Sequence, residues 1–357
     1  MIPRLFNSCL LRPEDFPRSR DDLQVLGVFN PGAVATSNGT VLLVRVAEAP
    51  REQRPHHYSL PRFDVPSNSI VTDWIRSEDA VTRDQRLIVR KDNGRARLTF
   101  ISHLRVIHSR DGRAIDSISE ARLAPANEYE EFGVEDPRVT PIGDTFWITY
   151  VAVSRHGVST ALASTRDFQT FDRHGIIFPP ENKDVLLFPE KIAGQYWALH
   201  RPNPSQWFAK PEMWTATSPD LIQWRDHQFF LGGIQPWEIG RVGGGTPPLR
   251  RPEGWVTLYH GNSRQEGDPT IGSYSGGALL LDAQNPRRIL AQNGPILVPT
   301  TEFERTGFVP DVAFPTGWVD HGETVLVYYG AADTVTAVVE FSWRDILQSL
   351  RPSGVPS

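Results

Sequence analysis

Cysteine is all but absent from this 357-residue chain: Cys9 stands alone, which excludes an intrachain disulfide framework. Long hydrophobic runs are missing too, and no stretch approaches membrane-spanning length. The opening Met1-Ile2-Pro3-Arg4-Leu5-Phe6 lacks the continuous apolar core of a secretory signal, so a soluble cytoplasmic protein is expected. No charge of one sign dominates. The net charge is −5 and arginine is spread along the chain, which argues against nucleic acid or a membrane surface as partner. Long helical periodicity is scarce as well. Proline (30), glycine (28) and tryptophan (10) are plentiful instead, and punctuators mixed with aromatics predict short strands joined by turns.

Residues 1–24 read as a polar, irregular arm, and 25–357 as a single domain. An apolar run from Val25 to Phe29 leads into Asn30-Pro31-Gly32-Ala33. An Asn38-Gly39 turn then precedes the strand-like Thr40 to Val46, a strong hairpin signal. Residues 47–85 carry Arg, Pro, His and Asp with weak periodicity and read as a long excursion. From residue 98 a pattern recurs at a spacing of roughly 55 residues. A strand is followed by Ser/Thr-x-Asp, and four residues later by an apolar or aromatic side chain. The copies are Ser109-Arg110-Asp111, Thr165-Arg166-Asp167 and Ser218-Pro219-Asp220. A second echo, Gly followed by a strand, occurs at Gly39, Gly143, Gly194, Gly254 and Gly322. Five such hairpins predict an all-β fold, a five-bladed β-propeller, rather than a pair of irregular sandwiches. A single helical segment from about Trp343 to Leu350, with Ser342 as N-cap, is expected near the end.

In a propeller, equivalent strand ends converge on a central channel, and here those ends are dense in charge. Gly133-Val134-Glu135-Asp136-Pro137-Arg138 sets two carboxylates before a proline. Proline biases the preceding Asp136 toward extended backbone, where neighbours point to opposite faces, so Glu135 and Asp136 are expected to part company. That leaves Glu135 as a structural partner, with Arg138 the candidate. Asn30 with Arg45, Asn182-Lys183-Asp184, His200-Arg201, Arg241, His260 and Asp333 occupy other strand ends. Opposed carboxylates suit glycoside cleavage and grouped cations suit an oxyanion, so the combination suggests phosphorolysis. Trp207, Trp237, Tyr259 and Tyr274 are candidate stacking faces for sugar rings. No metal site is expected, because His56-His57 has no partner at ligand spacing; no Walker lysine follows Gly243-Gly244-Gly245, and no nucleophile elbow is present.

These motifs resemble glycoside hydrolase family 130, the mannoside phosphorylases and related β-mannosidases. The resemblance runs from Val28 to about Leu350. It rests on Val28-Phe29-Asn30-Pro31-Gly32-Ala33, the Glu135-Asp136-Pro137-Arg138 stretch, Leu187-Phe188-Pro189-Glu190-Lys191 and Leu199-His200-Arg201-Pro202. Tyr259-His260-Gly261, Phe314-Pro315-Thr316-Gly317 and Tyr328-Tyr329-Gly330-Ala331-Ala332-Asp333 complete it. It implies a five-bladed propeller and an inverting reaction on β-mannosides that yields α-mannose 1-phosphate. Asp136 would be the acid, acting through the sugar 3-hydroxyl. Asn30, Arg45 and Asp333 match positions that hold the sugar, and Lys183, Arg201, Arg241 and His260 match positions that hold phosphate. Lys183 stands where Arg is usual and Arg241 where Lys is usual, so charge survives at both although Lys183 loses a bidentate fork. Inorganic phosphate is then a co-substrate and no cofactor is implied. Strictly hydrolytic members lose much of this cationic set. A β-mannosidase on the same scaffold is the alternative, with Glu238 the candidate base unless it is a solvated rim acid, and a non-catalytic glycan-binding propeller is a second. The 47–85 excursion could also cap a neighbouring subunit's site in a homo-oligomer.

Overall fold

Glycine opens the second strand of every repeat, and the backbone gives the reason. In the computed structural model, which describes residues 2–204, 208–265 and 270–352, Gly39, Gly143, Gly194, Gly254 and Gly322 have φ of 116, 65, 78, 151 and 80°. A Cβ is disfavoured in that region, so glycine marks the turn. Each turn leads into the second strand of an antiparallel meander. The first meander comprises Leu23–Thr36, Gly39–Pro50, Ile101–Ser109 and Ser117–Leu123, and the second Gly133–Ile142, Thr145–Ser154, Gly157–Thr165 and Asp172–Phe178. These two share one sheet, joined where Gly133 runs parallel to Ser102. The third contains Asn182–Leu187, Tyr196–Pro202, Met213–Ser218 and Arg225–Leu231. Arg241–Gly244, Gly254–Asn262, Tyr274–Leu281 and Ile289–Gln292 make the fourth, with Leu249–Arg251 beside its second strand.

Ala313–His321, Thr324–Ala331 and Val335–Ser342 form the last meander, and Phe6–Leu11 completes it. The arm expected over 1–24 is therefore not irregular at this strand. Phe6–Leu11 is half-buried along most of its length at a sheet edge, so no apolar alternation announces it. The excursion is more ordered than its sequence suggests, and it runs past residue 85 to Leu98. His57–Asp64 and Ser69–Arg76 pair as a hairpin, and Ala80–Asp84, Leu87–Arg90 and Ala96–Leu98 form a small sheet. Both are mostly half-exposed, which blurs the period-two signal. The helix Trp343–Ser349 follows Ser342, whose side chain makes no capping bond. A second short helix, Glu302–Arg305, was not expected.

The Ser/Thr-x-Asp echo is a turn between third and fourth strands. Asp111, Asp167 and Asp220 each accept from backbone N–H groups two and three residues ahead. Asp282 makes the same turn in the fourth meander, accepting from Gln284 and Asn285. Leucine stands where the other copies carry Ser or Thr, which hid it. Between neighbouring meanders the cores interlock. Leu43, Leu104 and Val106 meet Ile148 and Tyr150; Leu162 and Phe178 meet Leu187 and Ala198; Leu199 and Met213 meet Trp255 and Leu279; Leu258 and Ala278 meet Trp318 and Val325. Val28 and Leu42 of the first meander then meet Leu326 and Tyr328 of the last. Among the described residues no helix is long and apolar enough to cross a membrane.

Candidate active site

The first strands of the meanders are not regular. Pairing slips between Phe29 and Gly32, between Glu135 and Arg138, and between Lys183 and Leu186. Inside these bulges Asn30, Asp136 and Asp184 adopt left-handed backbone, with φ of 50, 48 and 55°. Asn and Asp tolerate that conformation better than other residues with a Cβ. The extended geometry expected for Asp136 is thus replaced by a bulge, and strand alternation no longer applies there. Glu135 and Asp136 do not part company. Arg45 Nη2 donates to Glu135 Oε1 at 2.7 Å and Arg45 Nη1 to Asp136 Oδ1 at 2.9 Å, so one guanidinium grips both acids. Arg45 lies over the Phe29 and Phe100 rings, 4.7 and 5.6 Å from their centroids.

Arg138 takes another job than the expected one. It is fully buried and donates to the carbonyls of Asp136, Gly244 and Gly245 at 2.9, 3.1 and 3.2 Å, with Asp184 Oδ1 at 3.4 Å. It ties the second, third and fourth meanders together under the site. Asp184 in turn holds Arg201 Nη1 at 2.7 Å.

Asn30, Arg45, Asp136, Lys183, Arg201, Arg241 and Asp333 line one cavity of about 290 Å³, with Glu135, Asp184, Asp84, Arg86 and Tyr274. Glu135, Lys183, Leu87 and Leu98 also border a larger neighbouring cleft of about 1470 Å³. Asn30 Nδ2 donates to Asp136 Oδ1 at 2.8 Å. Burial works to raise the Asp136 pKa, but Arg45, Arg138, Lys183 and the Asn30 hydrogen bond outweigh it and hold the group at about 2. Asp333 is pushed the other way by burial, against the pull of Arg86 and Arg45. Among the described residues Lys183 and Arg241 have no carboxylate partner within ion-pair distance, and the buried Nε of Arg241 lacks a hydrogen bond. Two cations without counter-ions beside a third are an anion site in waiting.

Comparison with known proteins places this chain in a family. A family model described as "beta-1,4-mannooligosaccharide phosphorylase" matches residues 86–352. The chain belongs to glycoside hydrolase family 130. It is 41% identical to a "Beta-1,2-mannobiose phosphorylase" of Listeria innocua serovar 6a, over 98% of each chain. A "1,2-beta-oligomannan phosphorylase" of Thermoanaerobacter sp. is 35% identical, over 69% of this chain and 81% of its own. The solved complex of the Listeria innocua enzyme with β-1,2-mannobiose superposes with a TM-score of 0.89, at 39% identity, covering 95% of this chain and 96% of that one.

Two candidates lie outside the cavity: His260, expected at the phosphate, and Glu238, the base of the hydrolytic alternative. His260 is fully buried, with Nε2 accepting from Arg201 Nη1 at 3.3 Å and 3.5 Å from Asp184 Oδ2. Burial pushes its pKa down to about 3, with nearby arginines adding to the effect against Asp184, so at neutral pH it is an uncharged support for Arg201 and not a cation. Glu238 is neither a rim acid nor free to act as a base. It is 2% exposed, and its carboxylate accepts from Tyr259 Oη at 2.9 Å and from the Ile234 and Gln235 N–H groups at 3.3 Å. Of the aromatic candidates Tyr274 lines the cavity. Trp237 packs on buried Tyr259, and Trp207 lies outside the described residues. The residues missed were Arg86, Asp84 and Asp184. An aspartate directly after a lysine in Asn182-Lys183-Asp184 was the available signal for Asp184; nothing local marked Arg86 or Asp84, which reach the cavity only through the folding of the excursion.

Proposed function

We propose that this protein is an inverting phosphorylase that cleaves β-1,2-linked mannobiose with inorganic phosphate, giving α-mannose 1-phosphate and mannose. The observation that carries this reading is the cation group Lys183, Arg201 and Arg241 beside Asp136, two members of which lack a protein counter-ion. Phosphate held there attacks C1 of a mannosyl unit bound by Asn30, Arg45 and Asp333. The new bond joins a phosphate oxygen to C1, and the bond from C1 to the bridging oxygen breaks. The departing oxygen takes the proton of the 3-hydroxyl, which is replaced from Asp136. Its surrounding cations hold Asp136 ionised on their own. A bound phosphate sets negative charge beside Lys183 and raises the proton affinity of Asp136, so the acid form belongs to the complex.

Hydrolysis on this scaffold would need a base to activate water, and Glu238, the candidate, is committed to Tyr259 and two backbone amides. The 1,2-linkage follows from the Listeria relative, whose match spans the excursion, whereas the family model's match begins at residue 86. The reading takes the five meanders as the blades of a five-bladed propeller, supported by cores shared between each and the next and between the last and the first. It is one catalytic domain that takes in Phe6–Leu11 and works in the cytoplasm. Incubation of β-1,2-mannobiose with and without phosphate tests the assignment. α-Mannose 1-phosphate should form only with phosphate, and Asp136→Asn should lower that rate about a hundredfold or more. Equal consumption in phosphate-free buffer, with mannose as the sole product, would sink it.

A further inference from the structure

The inverting geometry proposed above fixes where the leaving sugar must lie. Phosphate and leaving group occupy opposite sides of C1, so the acceptor mannose sits away from Lys183, Arg201 and Arg241. Leu26, Leu87, Leu98, Phe100 and Phe308 give the cavity an apolar share of its lining. A sugar presents hydroxyls all round and loses binding where they are desolvated without partners. Asp84 and Arg86 add charge to that lining from outside the five meanders. They come from the tight turn between Ala80–Asp84 and Leu87–Arg90, in the excursion.

The turn is built to present a guanidinium. Asp84 Oδ1 accepts from the Arg86 N–H at 2.8 Å, and Asp84 Oδ2 takes Arg86 Nη2 at 3.0 Å, so one carboxylate fixes both the backbone and the side chain of the arginine. Arg86 Nη1 then reaches Asp333 Oδ2 at 3.4 Å. This contact is long for an ion pair, and Asp333 remains buried with its pKa raised. The Arg86 side chain is about a third exposed, enough to meet a ligand. We propose that Arg86, oriented by Asp84, is the acceptor-binding residue of this enzyme, donating to hydroxyls of the leaving mannose beside the Asp333 subsite. The proposal rests on the phosphorylase reading, and it assigns the excursion the selection of acceptor.

Kinetics in the two directions separate this role from a merely structural one. In synthesis from α-mannose 1-phosphate and mannose, Arg86→Met should raise KM for mannose about tenfold or more. In phosphorolysis KM for phosphate should stay within about twofold of the parent, because the anion site is untouched. Arg86→Lys, which keeps charge but loses the fork, should fall between. Asp84→Asn should reproduce the mannose effect more weakly by loosening the arginine. An unchanged mannose KM in Arg86→Met, or a phosphate KM that rises in step with it, would overturn the assignment. Phosphate-independent turnover by the parent enzyme is a different result and would strike the phosphorylase reading itself.

Discussion

Asp136 and Asp333 face one cavity and are driven in opposite directions. Asp136 has Arg45, Arg138, Lys183 and the Asn30 amide around it; Asp333 has the longer contact to Arg86 and the more distant Arg45. A carboxylate with depressed pKa contributes stability that is present above its unfolded value of 3.8 and lost as pH falls toward 2. For Asp136 this is on the order of 2 kcal/mol at neutral pH. A carboxylate with raised pKa has the reverse sign: the fold is weakened as pH rises through the unfolded value and Asp333 is forced to ionise in a buried place. Asp136→Asn should therefore lower the thermal midpoint at pH 7, whereas Asp333→Asn should leave it level or raise it while weakening sugar binding. Scanning calorimetry on the two variants decides the matter, and an equal drop in both would refute the contrast. The motif around Asp136 is plain in the sequence, but its geometry is not. Proline after Asp136 argues for extended backbone, and only a strand paired on the partner side reveals the bulge that brings Glu135 onto the same arginine.

Bulges aim the side chains, and a close approach between strands holds one of them. Gly330, on Thr324–Ala331, lies so near Asn30, on Leu23–Thr36, that a Cβ there would overlap Asn30 Oδ1. Gly330→Ala should push Asn30 from Asp136 and cost activity on the order of a hundredfold, since small misplacements in a site are expensive. The readout is kcat/KM for phosphorolysis beside the far-ultraviolet spectrum. A folded variant with parental kinetics would show that Asn30 can relax elsewhere without consequence. At this scale the hairpins were legible, because left-handed backbone at Gly39, Gly143, Gly194, Gly254 and Gly322 demands the residue that the sequence shows. The strands of the excursion were not. Their half-exposed faces give weak alternation, and their contribution to the cavity depends on a fold that no local pattern encodes.

The molecule as a whole buries imidazoles that it keeps neutral. Burial, aided by neighbouring positive charge, pushes His103, His200 and His260 down to about 3 from an ordinary 6.5. Between those values the unfolded chain takes up protons that the folded chain refuses, so stability is lost as pH falls from 6.5. Three such groups give a slope of up to about 4 kcal/mol per pH unit. Urea unfolding at pH 7, 6 and 5 should show the midpoint falling steeply; a flat profile would mean that these sites open to water or find acceptors. The order of the meanders could be read from the repeat, but not the pairing of Phe6–Leu11 with Val335–Ser342. That pairing has a bearing on biosynthesis. At roughly 5–20 residues per second a ribosome needs tens of seconds to bring the last strands into being after the first. For that interval Phe6–Leu11 has no partner, and the last meander cannot finish before Val335–Ser342 is made. A strand made early thus waits for one made more than 300 residues later, and nascent chains stalled short of Val335 should leave Phe6–Leu11 open to protease.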